Sequence, residues 1–79
     1  MNMLNRLQNI FRDVFGDDAL EIAEEYSMGA HPDWDSVATV NIVLATEVEF
    51  GVRFTPKEVG TIRGVGDILS VLRDRLPPG

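Results

Sequence analysis

The chain has 79 residues, 44% of them apolar, with thirteen acidic side chains against seven basic ones and no cysteine. That length makes one domain, residues 1–79, near the lower size at which a core holds itself together; without cysteine there is neither a disulfide nor a thiolate metal site, so apolar packing must stabilise it. The formal charge of −6 argues against nucleic acid, which is bound through Lys and Arg contacts to phosphates, and favours basic protein partners. No signal peptide is recognisable and no apolar run approaches 18 residues, so membrane insertion is not indicated and the cytoplasm is the expected compartment.

Met3, Leu4, Leu7, Ile10, Phe11, Val14 and Phe15 recur at spacings of three and four, which predicts an amphipathic helix over residues 2–15. Gly16 supplies its left-handed stop. Residues 16–35 have no sustained period and read as a long loop. Leu20, Ile22, Tyr26 and Met28 are the side chains that would tack it onto a bundle. Its acids Asp17, Asp18, Glu21, Glu24 and Glu25 read as a solvated face rather than a divalent-ion site.

A second helix is predicted from Ser36 to about Phe50, with Asp35 as N-cap and Gly51 as its end. Val37, Val40, Val43, Leu44 and Val48 cover one broad arc of it, extended by Ile42 and Phe50, so little of its surface is simply polar. Such a helix must touch both the core and a partner. Thr55, Pro56 and Glu58 form a capping box that opens a short third helix, which Gly60 is expected to stop. Val65, Ile68, Leu69, Leu72 and Leu76 predict a fourth, amphipathic helix, and Pro77 and Pro78 forbid its continuation. Nothing reads as a strand. The expected architecture is all-α: an antiparallel four-helix bundle of three longer helices and one short third helix.

Ser36 lies in the first turn of the second helix, where backbone N–H groups lack partners and the helix dipole is positive, a favourable place for a phosphate. As a hydrolytic nucleophile it lacks the Gly-x-Ser-x-Gly elbow, and the single histidine, His31, stands five residues upstream without a recognisable oxyanion hole. Catalysis is therefore not expected. Asp33-x-Asp35 opens like a calcium loop, but Val37, Ala38 and Leu44 occupy its fifth, sixth and twelfth places and defeat that reading. No metal site is expected.

With these residues in view, the chain resembles the acyl carrier proteins. Asp35-Ser36-Val37 looks like their Asp-Ser-Leu attachment motif, and Glu47-Val48-Glu49-Phe50-Gly51-Val52 looks like the Glu-Glu-Glu-Phe-Gly-Ile that closes their second helix, at a spacing that matches without a gap. The resemblance extends over nearly all of the chain. It implies that Ser36 is esterified with 4'-phosphopantetheine, whose thiol carries an acyl or aminoacyl group as a thioester, and that Asp35 also serves recognition by the modifying transferase. The partners implied are a phosphopantetheinyl transferase, an acyl-loading ligase or acyltransferase and downstream synthase enzymes, meeting a monomer.

Trp34, Val37, Val40, Glu47 and Glu49 are the candidate partner-contact residues. Val37 takes the place of the family's surface leucine. For Trp34, part exposure beside the serine and burial both stay open; for Val40, core packing is the favoured alternative. Ala38, Asn41 and Val48 stand where the family's second helix often carries acids, Arg53 and Lys57 add positive charge just after it, and Gly64 replaces a threonine cap. These departures suggest a dedicated pathway. The alternative is an acidic helical adaptor that binds a basic partner without a prosthetic group.

Overall fold

The computed structural model describes residues 2–76, so the expected stop at Pro77 and Pro78 lies outside the described residues. In chain order these form α1 (Met3–Phe15), a 3₁₀ turn (Met28–Ala30), α2 (Ser36–Phe50), α3 (Pro56–Thr61) and α4 (Val65–Arg75). They make an all-α four-helix bundle in which α3 is the short member. The Asn2 side chain caps α1 by accepting from the Asn5 N–H at 2.8 Å, and Gly16 closes it at φ 61°, a left-handed conformation that costs glycine nothing. Leu7, Ile10 and Phe11 bury one stripe of the helix.

The polar side of α1 holds its neighbours. Gln8 Oε1 accepts from the Ile22 N–H at 2.9 Å, and Arg12 Nε donates to the Leu20 carbonyl at 2.7 Å. Arg6 donates to Glu49 at 2.8 Å while its guanidinium carbon stands 4.2 Å from the centre of the Phe50 ring, a cation–π contact that links the start of α1 to the end of α2.

The long loop is therefore tied down rather than loose. Ile22 is buried in the core, with Leu20, Tyr26 and Met28 half-buried against it. Further along, Met28 N–H donates to the Arg63 carbonyl at 2.8 Å and Val65 N–H to the Tyr26 carbonyl at 2.9 Å, an isolated antiparallel bridge between Ser27 and Gly64. Glu24 adds an ion pair to Arg73. Backbone pairing thus clips the middle of the loop to the entrance of α4.

The expected stop at Gly60 is overturned, because α3 runs through it to Thr61. One glycine weakens a helix without breaking it, and here the capping box at Thr55 and Glu58 holds the other end. The Glu58 carboxylate lies below its ordinary range because it accepts the Thr55 N–H and then the Arg75 guanidinium. Val65, Ile68, Leu69 and Leu72 bury one face of α4, and Leu76 is its C-cap rather than a helical residue.

Gly64 is more than a substitute for a capping threonine. A Cβ at this position would stand 2.9 Å from the Tyr26 carbonyl oxygen and 3.3 Å from the Ser27 Cα, so the bridge requires a residue without a side chain. We expect Gly64→Ala to destabilise the fold by about 1–3 kcal/mol, as overpacking does, with the melting temperature falling about 4–8 °C for each kcal/mol in a domain of this size. Gly60→Ala, whose Cβ meets nothing within 4 Å, should instead be neutral or stabilising by up to about 1 kcal/mol. Thermal unfolding of the pair checks this, and equal melting temperatures would show that the close approach is unimportant.

Candidate functional site

The site is assembled where the loop enters α2. Asp35 Oδ1 accepts from the Ala38 N–H at 2.9 Å, and the first intrahelical bond runs from Thr39 N–H to the Asp35 carbonyl. Asp35 is thus the N-cap, as its place before the helix predicts. Ser36 follows in the first turn and is exposed, and the N–H groups of Ser36 and Val37 precede the first intrahelical bond, so they and the helix dipole favour an anion beside the hydroxyl.

Trp34 corrects the expectation of a partner-facing side chain. It is only 5% exposed, because its indole fills a pocket among rings from α1 and the loop. Phe11 meets it edge-on at a centroid distance of 5.1 Å, Tyr26 stacks at 6.2 Å and Phe15 lies 6.4 Å away. Its Nε1–H donates to Thr39 Oγ1 at 2.8 Å, and that hydroxyl donates in turn to the Asp35 carbonyl at 3.1 Å. The indole N–H needed a buried acceptor, and a threonine one turn into α2 supplies it. The sequence signal for this contact is Thr39, a polar residue within an otherwise apolar stretch and five residues from the tryptophan.

Val40, a candidate partner contact for which core packing is the favoured alternative, is 46% exposed, so the core alternative is the one set aside. It belongs to a stripe with Val37, Leu44 and Val48, which are 68%, 56% and 87% exposed. The buried face of α2 is made instead by Ala38, Thr39, Ile42, Val43, Thr46 and Phe50. Ala38 therefore does not occupy a partner-facing position where an acid is missing. Glu47 and Glu49 are both engaged within the chain: Glu47 Oε2 accepts the Phe54 N–H at 2.7 Å, and Glu49 pairs with Arg6. His31 stacks on Phe15 at 4.1 Å and its Nδ1 accepts the Asp33 N–H, an arrangement that packs the imidazole against α1. Among the described residues no group of three or more His, Asp or Glu side chains could hold a metal ion, and no helix is long and apolar enough to cross a membrane.

A groove of about 300 Å³ opens beside Ser36, lined by Met28, Thr39, Val40, Val59, Gly60, Ile62 and Arg63. An exposed hydroxyl on a capped helix start, with an apolar channel next to it, is the geometry of a protein that holds a flexible group on its surface. No family model matches the chain. It is 33% identical over 70 residues to an acyl carrier protein of Acidothermus cellulolyticus, spanning 89% of this chain and 83% of that one, and 27% identical over 74 residues to acyl carrier protein 2 of Ralstonia nicotianae, spanning 94% and 91%. The solution structure of the holo acyl carrier protein from Geobacter metallireducens superposes with a TM-score of 0.83 at 31% identity, over 95% of this chain and 86% of that one.

The chain belongs to the acyl carrier protein family. It is accordingly a carrier and not an enzyme, with 4'-phosphopantetheine as its covalent prosthetic group, and the adaptor alternative is not favoured. The residues present fit that group: the helix start welcomes its phosphate, and the groove is of a size and polarity to lie beside a short amide chain.

The Trp34–Thr39 bond yields a prediction about the site's foundation. Thr39→Val keeps the shape but leaves the buried indole N–H without an acceptor, which should cost about 1–3 kcal/mol and move the indole N–H resonance. Thr39→Ser keeps the acceptor and should cost about 0.8 kcal/mol, the value of the lost methyl group. Valine and serine variants of equal stability would count against this hydrogen bond as the anchor.

Proposed function

We propose that this chain is a single carrier domain that holds acyl or aminoacyl groups on a phosphopantetheine arm at Ser36, in a pathway with its own partner enzymes. The observation that carries the reading is the exposed Ser36 hydroxyl in the first turn of a helix capped by Asp35. When bound, the prosthetic group supplies a terminal thiol that carries cargo as a thioester. Everything else falls to the chain: Asp35 fixes the backbone at the attachment point and faces the transferase that installs the arm, Val37 stands beside the serine for partner pockets, and the rigid bundle gives the arm a fixed origin.

Incubation with coenzyme A, Mg²⁺ and a promiscuous phosphopantetheinyl transferase should add one phosphopantetheine, seen by intact mass and absent from Ser36→Ala. A wild-type chain left unmodified under conditions that fully convert a control carrier would sink the assignment.

Partner choice follows from the outer face of α2. Its two glutamates are engaged by groups of the same chain, Glu47 by the Phe54 N–H and Glu49 by Arg6 in a surface ion pair, and the stripe of Val37, Val40, Leu44 and Val48 is apolar and exposed. Covering that stripe gains roughly 25 cal/mol per Å² of apolar surface, while a basic patch on a partner finds few free acids there. Partners suited to this face are a dedicated loading ligase or acyltransferase and downstream synthase enzymes with an apolar docking surface; general fatty-acid synthase enzymes that read acids on this helix should use the chain poorly. Asn41 and Val48 are the exposed positions at which acids would restore such a face, whereas an acid at buried Ala38 would damage the core. At about 0.2–1 kcal/mol for each rim charge pair, Asn41→Glu with Val48→Glu should improve turnover of the malonyl-loaded carrier by general synthase enzymes about two- to thirtyfold. Turnover equal to that of a housekeeping carrier before the substitutions, with no gain after them, would show that these positions do not decide partnership.

A further inference from the structure

Two cations just beyond α2, Arg53 and Lys57, are exposed, and the fold gives neither of them a carboxylate. Among the described residues the ion pairs are Arg6–Glu49, Arg73–Glu24 and Arg75–Glu58. The acids nearest to them in sequence are therefore taken: Glu49 by Arg6, Glu58 by Arg75, and Glu47 by the Phe54 N–H. Lys57 sits in the first turn of α3, an end where the helix dipole favours acids over cations, so its charge does not serve that helix. Both charges stay in water, available to another surface.

Their place beside the apolar stripe gives them a use. Arg53 lines a shallow trough of about 480 Å³ with Leu44, Val48 and the α2 C-cap Gly51, and Pro56, next to Lys57, lines a second trough with Val40 and Leu44. From Ser36 to Thr46 the helix has no charged residue, and residues 36–57 hold two acids and two bases, so the whole formal charge of −6 lies outside them. Asp33 and Asp35 are exposed at the serine end. From that end onward, α2 and its flanks present acid, apolar stripe and base in that order.

Such a surface has a direction. A partner covering the stripe gains apolar burial in either orientation, but only one orientation sets basic groups against Asp33 and Asp35 and acidic groups against Arg53 and Lys57; the other opposes like charges. We propose that the enzyme surface docking on α2 is an apolar strip with acidic side chains where it meets Arg53 and Lys57 and basic ones beside Ser36. The inference rests on the proposed function, because the arm at Ser36 is what that surface receives, and a fixed orientation delivers it to one end of the strip. A partner with basic groups along the whole strip meets two like charges at the far end and is disfavoured.

The test uses two helical peptides, each crosslinked to hold its helix, with a leucine stripe and lysines at one end. The other end carries glutamates in the first peptide and glutamines in the second. Both are titrated into the full chain, before and after conversion with coenzyme A and a transferase, and followed by ¹H–¹⁵N spectra with a nitroxide on the lysine end. The wild type should bind the glutamate peptide about two- to thirtyfold more tightly than the glutamine peptide, the worth of two rim charge pairs, and added salt should shrink the difference. The nitroxide should broaden the Ser36 and Val37 amides rather than those of residues 51–54. With Arg53→Gln and Lys57→Gln combined, the two peptides should bind alike and the chain should melt as the wild type does; should it melt early, the wild-type preference and the nitroxide position still decide. Net charge alone predicts the reverse, since an acidic chain prefers the more positive glutamine peptide. That preference, equal binding, or no binding of either peptide overturns the proposal, as does concentration-dependent sedimentation of the wild type alone that the double variant loses, which would make a second copy the occupant. Loss of the preference in a chain that converts fully at Ser36 overturns the docking polarity and leaves the carrier reading standing. A preference kept by a chain that does not convert overturns the carrier reading and, with it, the claim that the docked partner acts on the arm.

Discussion

The hydrogen bond from the Trp34 indole to Thr39 Oγ1 joins the three parts of the molecule on which the site depends. The indole is packed by Phe11 and Phe15 from α1 and by Tyr26 from the loop, and its N–H reaches a residue of α2. Thr39 passes the connection to the Asp35 carbonyl, and Asp35 caps the same turn. The backbone on both sides of Ser36 is thereby fixed by groups facing inward, while the serine itself faces out. A buried donor without an acceptor is costly, so this arrangement ties the orientation of the helix start to the core's own stability. A mobile arm needs such a fixed origin, because its reach is useful only if the point it swings from is defined.

The second organising constraint is the composition of α2, which is apolar nearly all round. A helix of that kind is either enclosed or completed by another surface. Here α1 and α3 cover one side, and Val37, Val40, Leu44 and Val48 remain outside. The acids that would ordinarily give such a face its charge have structural duties: Glu47 caps the chain at Phe54 and Glu49 holds Arg6 over Phe50. Negative charge is abundant in the molecule as a whole, with a net of −6, yet on this helix it is spent on the fold.

Local signals made much of this legible. The caps at Asp35 and Thr55, the stops at Gly16 and Gly51 and the stripe of α1 each depend on residues a few positions apart, and each appears in the structure where the sequence places it. What was misread depends on rotation about a helix axis or on distant pairs. An all-apolar α2 carries no periodic difference to set its phase, so the sequence leaves Val40 between core and partner face and Trp34 between burial and exposure, and it places Ala38 on the outer face; contact with α1 decides each. The bonds from Gln8 to Ile22 and from Arg12 to Leu20 likewise pair side chains with backbone atoms whose partners no spacing rule names. Gly64 reads in the sequence only as a replacement for a threonine cap, because its true constraint, the nearness of the Tyr26 carbonyl, lies across the fold.

That nearness also connects the loop to the groove. Met28, which lines the channel beside Ser36, belongs to the turn that begins at the Ser27–Gly64 bridge, and its own N–H is bonded to the Arg63 carbonyl. One wall of the channel and the residue bearing its charge are therefore held in register by a single backbone hydrogen bond. Loosening the loop would change the width of the groove and the position of Arg63 together. The long loop is paired, packed and ion-bridged along its course, and these contacts hold one wall of the space beside the serine in place.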